Sequence, residues 1–142
     1  EKVLKGKGLA CSLCGVTNQE AVDRADVVIL ALPFQHVAPS LVSLTGLDGK
    51  VVLSPVNPLG RKEHFFFSPP PEGSAARLID RLLSGKARVC TAFNNIAAGS
   101  WKALDAPVAQ SVAVCGDDPA EKGITMRLVA SISILDALSV WH

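Results

Sequence analysis

Ala25-Asp26-Val27-Val28-Ile29-Leu30-Ala31-Leu32-Pro33-Phe34-Gln35-His36 is the stretch whose reading decides the fold. Val27 to Leu32 form an unbroken apolar run, rich in β-branched side chains and closed by Pro33. Such a run predicts a strand buried on both faces, as in a parallel sheet covered by helices. In open α/β sheets ligands sit in the crevice beyond the carboxyl ends of the strands, so Leu32-Pro33-Phe34 marks the place to look for one. The plainer reading is that Pro33 only ends the strand.

The totals fit a single domain spanning residues 1–142. A chain of 142 residues falls within the usual roughly 100–200 residues per domain. Hydrophobic residues make up 49% and charged residues 19%, a globular and somewhat apolar composition unlike that of a disordered tail. A net charge of +1 argues against nucleic acid as a partner, and no dense block of Lys and Arg marks a membrane surface. The apolar runs fall short of the roughly 20 residues needed to cross a bilayer, and Glu1 to Lys7 lead into no signal-peptide core. The expectation is a soluble, cytoplasmic protein.

Upstream of the central strand, Gly6-Lys7-Gly8-Leu9-Ala10-Cys11 nearly spells the GxGxxG of a dinucleotide fold, with Cys11 where the third glycine belongs. Too little chain precedes it to form the strand that aims such a loop, and no amphipathic helix follows, so the match is rejected. Leu9 to Leu13 can form a short strand. Thr17-Asn18-Gln19-Glu20 then has the spacing of a capping box and predicts a helix over Asn18 to Arg24.

Downstream, Phe34, Val37, Ala38 and Leu41 keep a helical rhythm, with Pro39 tolerable only in a first turn. Lys50 to Ser54 is a second core strand, completing a strand, helix, strand unit with a right-handed crossover. The segment Pro55 to Glu72 is rich in proline, carries Phe65-Phe66-Phe67, and is too long for a simple connector. Loops of that length are usually functional or mobile; the phenylalanines could equally anchor it to the core or meet a partner chain.

Ala75, Leu78, Ile79, Leu82 and Leu83 form one apolar stripe and predict a helix stopped by Gly85. A third strand runs over Ala87 to Phe93, followed by the small polar turn Asn94-Asn95-Ile96-Ala97-Ala98-Gly99. A further strand is expected over Ser111 to Cys115. Asp118, Pro119 and Glu121 mark another helix start, with Ala120, Ile124 and Leu128 on one side, and Ile132 to Leu138 reads as a last strand.

Hydrolytic and phosphoryl-transfer chemistry has nothing to stand on, because no GxSxG elbow or Walker loop occurs. The histidines at 36, 64 and 142 have no metal-ligand spacing. Cys11-Ser12-Leu13-Cys14 is a lone CxxC without a second pair or a following helix start, while Cys90 and Cys115 sit in apolar runs as small buried hydrophobes. No metal site and no catalytic acid, base or nucleophile is assigned. What remains is a set of strand-end turns on one rim of a parallel sheet: Leu32 to His36, Ser54 to Gly60 and Asn94 to Ala97. Such a rim suits a flat cofactor.

These turns, together with Lys50-Val51-Val52-Leu53-Ser54-Pro55-Val56-Asn57-Pro58, Gly73-Ser74-Ala75-Ala76, Ala92-Phe93-Asn94-Asn95-Ile96 and Val114-Cys115-Gly116-Asp117-Asp118, resemble the coenzyme F420-dependent NADP oxidoreductase family. The resemblance runs from about residue 15 to residue 138, in the family's order. It implies an α/β, Rossmann-like three-layer domain with a mostly parallel sheet, and hydride transfer between NADP(H) and coenzyme F420 or a related acceptor. Carried over position by position, Leu32, Pro33 and His36 match the turn on the nicotinamide-ribose side, and Asn57 and Pro58 match the next strand-end loop. Asn94, Asn95, Ile96 and Ala98 match the turn beside the nicotinamide and deazaflavin rings. Some members carry histidine at the position of Asn94 and proline at that of Ala97, which leaves the second substrate open. Hydride transfer needs two rings held at close range more than a protein acid or base.

The family begins with a strand, a Gly-rich loop, a helix and an Arg-bearing turn that hold the phosphates, and it ends in further helices. Neither part has a counterpart here, so the chain is expected to be an internal piece of a reductase, with an incomplete Rossmann-like domain. In the strand order 3-2-1-4-5-6 this would leave Val27 to Leu32 as an edge, a liability for aggregation. Either the early strand pairs with it, or a second chain covers it as a homodimer or by complementation. Two functional readings stay open: an NADP-dependent oxidoreductase, and a non-catalytic α/β remnant or interaction module that does not bind the dinucleotide alone.

Overall fold

The computed structural model describes residues 12–97, 99–100, 110–132 and 135–140. In chain order its elements are α1 (Asn18–Arg24), β1 (Val27–Ile29), α2 (Phe34–Val42), β2 (Val51–Ser54), β3 (Leu59–Arg61), β4 (Phe65–Phe67), α3 (Ala75–Leu82), β5 (Arg88–Thr91), β6 (Gln110–Gly116), α4 (Pro119–Ala130) and β7 (Leu135–Val140). The main sheet has the order β1-β2-β5-β6-β7, and β3 and β4 form a separate hairpin. β1, β2 and β5 are parallel, β6 is antiparallel to β5, and β7 is parallel to β6. The mostly parallel sheet read from the sequence is therefore present.

Alternation along β2 shows how the sheet is covered. Val52 packs in a cluster with Val22 of α1, Val37 and Leu41 of α2, and Ala75 and Ile79 of α3. Leu53, the next residue, packs in a second cluster with Cys90, Val112, Val114 and Val129 of α4. Successive side chains of a strand point to opposite faces, so α1 to α3 cover one face and α4 the other. All four residues of β2 are buried, as expected of a central parallel strand.

The capping box at α1 is formed as its spacing predicts. Glu20 N–H donates to the Thr17 hydroxyl at 3.2 Å, and the Glu20 carboxylate accepts the Thr17 N–H at 2.8 Å. The Thr17 N–H and the Thr17 hydroxyl, which both donate to the Glu20 carboxylate at 2.8 Å, hold that carboxyl below its ordinary range. Asp118 repeats the device at α4, accepting from Ala120 N–H at 2.6 Å and Glu121 N–H at 3.2 Å, with Pro119 as first helical residue. α3 starts at Ser74, whose hydroxyl accepts the Arg77 N–H at 3.2 Å.

Several expectations are corrected. The opening strand is shorter than its apolar run, and at the edge of the described sheet Ile29 is 51% exposed. Its pairing continues one step further through Leu30 N–H to the Leu53 carbonyl at 2.9 Å. Pro39 lies in the interior of α2, not its first turn. It is exposed, so the hydrogen bond it cannot donate is forfeited on the solvent side, where the loss is cheapest. The Pro55 to Glu72 segment is not a plain loop, because β3 and β4 pair within it. α4 buries Glu121, Lys122, Thr125 and Val129 instead of the Ala120 side of the helix. β7 spans Leu135–Val140, and Ile132, where the apolar run begins, belongs to no strand. The expected strand over Leu9 to Leu13 lies mostly outside the described residues, and Ser12 and Leu13 belong to no strand.

Replacing Asp118 by Ala removes the acceptor for two orphan amides of α4. The expected cost is about 1 kcal/mol of unfolding free energy, read as a lower urea midpoint at unchanged slope.

Candidate functional site at the carboxyl rim of the sheet

Because β1, β2 and β5 run in the same direction, the turns after them emerge on one rim. Beyond β1, Leu32 N–H bonds the Leu30 carbonyl at 2.9 Å, and Pro33 serves as the N-cap residue of α2, its carbonyl accepting the His36 N–H at 2.9 Å. Beyond β2, the Ser54 hydroxyl is fully buried and accepts the Val56 N–H at 3.4 Å. Beyond β5, Phe93 takes a positive φ of 65°. That conformation is uncommon for a bulky side chain and recurs at functional turns.

One interaction ties two of these turns together. Asn57 Nδ2 donates to the Asn94 carbonyl at 2.7 Å, and Asn94 Nδ2 returns a longer bond to Asn57 Oδ1 at 3.5 Å. Two cavities open beside this clasp. One, of about 410 Å³, is lined by Leu32, Pro33, Phe34, Gln35, Pro55, Val56 and Asn57, with Leu59, Arg61 and Phe65 from the hairpin. The other, of about 220 Å³, includes Asn57, Pro58, Thr91 and Asn94, with Ser74 at the start of α3. The larger lies within the range of about 300–1,000 Å³ usual for small-molecule sites.

The residues singled out from the sequence thus occupy different places. Leu32, Pro33 and Asn57 line the larger cavity, and Pro58 and Asn94 the adjoining one. His36 is exposed, its ring 3.3 Å from the Gln35 amide. Asn95 is turned onto β6, donating to the Ser111 carbonyl at 2.8 Å and accepting the Ala113 N–H at 3.4 Å. Ile96 is buried in the second core cluster. Ala98 lies outside the described residues. Sequence reasoning missed the hairpin wall formed by Leu59, Arg61 and Phe65. The excess length of the Pro55 to Glu72 segment was its only signal.

Electrostatics divide the molecule. Among the described residues Arg61 is the only charged one that lines the larger rim cavity. A third cavity, of about 250 Å³, lies toward the opposite end of β5 and is lined by Arg77, Asp80, Arg88, Asp117, Asp118 and Glu121 among others. Glu121 is only 3% exposed. Burial pushes its carboxyl above the ordinary range, against the opposing Asp118 N–H bond, and the charges of Asp118 and Asp117 add to the rise. Burial likewise raises the Cys90 thiol, which donates to the Cys115 carbonyl at 3.0 Å and is an inert core group. Cys14 is an exposed free thiol, and the described residues contain no group of side chains able to hold a metal ion.

A mostly parallel sheet with helices on both faces and cavities at its carboxyl rim defines a Rossmann-like α/β domain. The sequence and fold comparisons point the same way. Residues 3–58 match the family model described as NADP oxidoreductase, coenzyme F420-dependent. The F420-dependent NADP reductase of Methanocaldococcus jannaschii is 31% identical over 144 residues, an overlap covering 97% of this chain and 63% of that protein. A protein assigned as an F420-dependent NADP-reductase from Arthrobacter sp. FB24 superposes with a TM-score of 0.70 at 21% identity, covering 87% of this chain and 58% of the other. A hypothetical protein from Sinorhizobium meliloti gives a TM-score of 0.70 at 22% identity over 86% of this chain and 58% of its own. The chain thus spans about three fifths of the length of these relatives. It is similar to the coenzyme F420-dependent NADP oxidoreductase family.

Two outcomes follow from these contacts. Asn57→Ala should cost about 1 kcal/mol and raise amide exchange across residues 94–97 more than in α3, as expected if the side chain holds the second turn. For Glu121, a raised folded-state pKa means that the folded protein binds more protons than the unfolded chain as pH rises above the ordinary carboxyl range, so stability falls through that window. Glu121→Gln keeps the capping bond and removes this loss. Its urea midpoint should gain on the parent protein between about pH 4 and about pH 7.

Proposed function

We propose that this rim is the redox end of an NADP(H) cleft, from which a hydride passes to coenzyme F420 or a related ring. The observation that carries the reading is the convergence of Leu32, Pro33 and Asn57 on one cavity, with Asn94 bonded to Asn57 beside it. Similarity to the family supplies the cofactor pair, and the residues present fit a flat ring. The cavity is walled by apolar side chains and carries amides at Gln35 and Asn57. When bound, the reduced nicotinamide supplies two electrons and one proton as a hydride.

The residues do the rest by position. Pro33 and Leu32 offer a rigid apolar surface at the end of β1. Asn57, fixed through its bond to Asn94, offers polar atoms at the cavity edge that can orient a carboxamide or ribose. No side chain has to give or take a proton, since a hydride moves between rings held at close range in a site that limits water. His36, Asn95 and Ile96 belong to this reading as neighbours of the rim turns, and they rank behind Leu32, Pro33, Asn57, Pro58 and Asn94 because they line neither rim cavity; Ala98, which lies outside the described residues, stays in the reading by resemblance alone.

NADPH titration of the full chain, followed by nicotinamide and tryptophan fluorescence, tests the proposal. Submillimolar binding with slowed amide exchange at residues 32–36, 57–58 and 94–97 is the expected result. No binding up to several millimolar would instead favour a non-catalytic module, for which the exposed Ile29 edge and the exposed Phe65 to Phe67 side chains offer contact surfaces.

A further inference from the structure

β6 is only partly paired on the side of β5. β7 runs beside it from Gln110 to Cys115, whereas β5 meets only Cys115 and Gly116 before its chain leaves the sheet. Along the rest of β6, the flank away from β7 has no strand beside it among the described residues. Alternate residues of a strand offer both N–H and C=O to the same neighbour, and left without one those groups must find other partners.

Asn95 supplies them. Its side-chain amide donates to the Ser111 carbonyl at 2.8 Å and accepts the Ala113 N–H at 3.4 Å. One donor and one acceptor on a planar amide are what a strand residue would offer there, so the side chain continues the ladder after the backbone of β5 has turned away.

The same residue fixes the turn it belongs to. Ile96 N–H bonds the Phe93 carbonyl at 3.1 Å, and the Ile96 side chain is buried in the second core cluster. The Asn94 carbonyl lies in one rigid peptide plane with the Asn95 nitrogen. Holding Asn95 on β6 and Ile96 in the core therefore sets the direction of that carbonyl, which accepts the Asn57 amide at 2.7 Å.

We infer that Asn95, standing in for a strand residue beside β6, is a positioning residue that shapes the rim through the Asn94 carbonyl and the Asn57 amide. It lines neither rim cavity and has no part in holding a ligand. The kinetic consequence rests on the redox reading of the rim: loss of Asn95 loosens the distance between rings more than it weakens the dinucleotide, so it acts on kcat and not on KM.

Hydrogen exchange of the full chain, expressed as protection relative to an unstructured peptide, tests the inference on two variants at an exposed position. Asn95→Ala should lower protection of the Asn57 side-chain amide and of backbone amides 94–97 about tenfold, with α1 and β1 unchanged. Asn95→Asp should do the same at pH 7, where a carboxylate cannot donate to Ser111. Below about pH 4 the protonated acid regains a donor, and protection should return in Asn95→Asp but not in Asn95→Ala. An Asn57 amide as protected as in the parent protein, a loss spread evenly over the chain, or no recovery of Asn95→Asp in acid would overturn the inference. With NADPH and coenzyme F420, Asn95→Ala should lower kcat about tenfold at unchanged KM for NADPH; a rise in KM at unchanged kcat would overturn the kinetic role. A parent chain that binds no NADPH removes the redox reading, and the exchange result alone then decides whether Asn95 positions the clasp.

Discussion

Parallel pairing of β1, β2 and β5 is the constraint on which the rest of the molecule depends. With Val27 opposite Val51 and Val51 opposite Arg88, the three strands end nearly level. Everything after their last residues must leave from the same edge. The site is therefore not assembled by side chains reaching from separate regions. It follows from strand direction, and strand direction follows from crossovers through α2 and α3, which bury Val37, Leu41, Ala75 and Ile79 against one face.

The rim itself is held by backbone and amide contacts, not by charge. Asn57 and Asn94 clasp two turns, Asn95 ties the second to β6, and Phe93 accepts an unfavourable backbone conformation to turn the chain sharply after β5. Neutral hydrogen bonds carry no net charge for salt to screen or pH to titrate. A cleft made this way keeps its shape while leaving its electrostatic character to Arg61 on the hairpin. Glu121, buried beside Lys122, lies toward the other end of β5, where its raised pKa bears on stability and not on the rim.

Much of this was legible in residue order. Capping boxes at Thr17 and Asp118 are local devices, satisfied within one turn of helix, and each marks its helix start in the structure. The stripe Ala75, Ile79 buries as its spacing predicts. Where expectation and structure part, the cause is a longer-range neighbour. Ile29 is as apolar as Val52, yet it is half exposed because its strand is the edge of the described sheet. α4 turns its Glu121 side inward, because Val129 on that side packs against Leu53, Val112 and Val114 of the sheet.

Residue order alone determined the parallel direction of β1 and β2, the helix starts and the family resemblance, since periodicity, caps and motif order are properties of near neighbours along the chain. Only the tertiary structure decided which rim residues share a cavity. It placed Leu32, Pro33 and Asn57 on the larger one, sent Ile96 into the core and Asn95 onto β6, and folded a proline-rich segment into a hairpin that brings Arg61 and Phe65 to the same wall. Cross-strand pairing and a contact between residues 37 positions apart leave no periodic trace in a sequence, because they depend on where distant segments meet and not on what adjoins them.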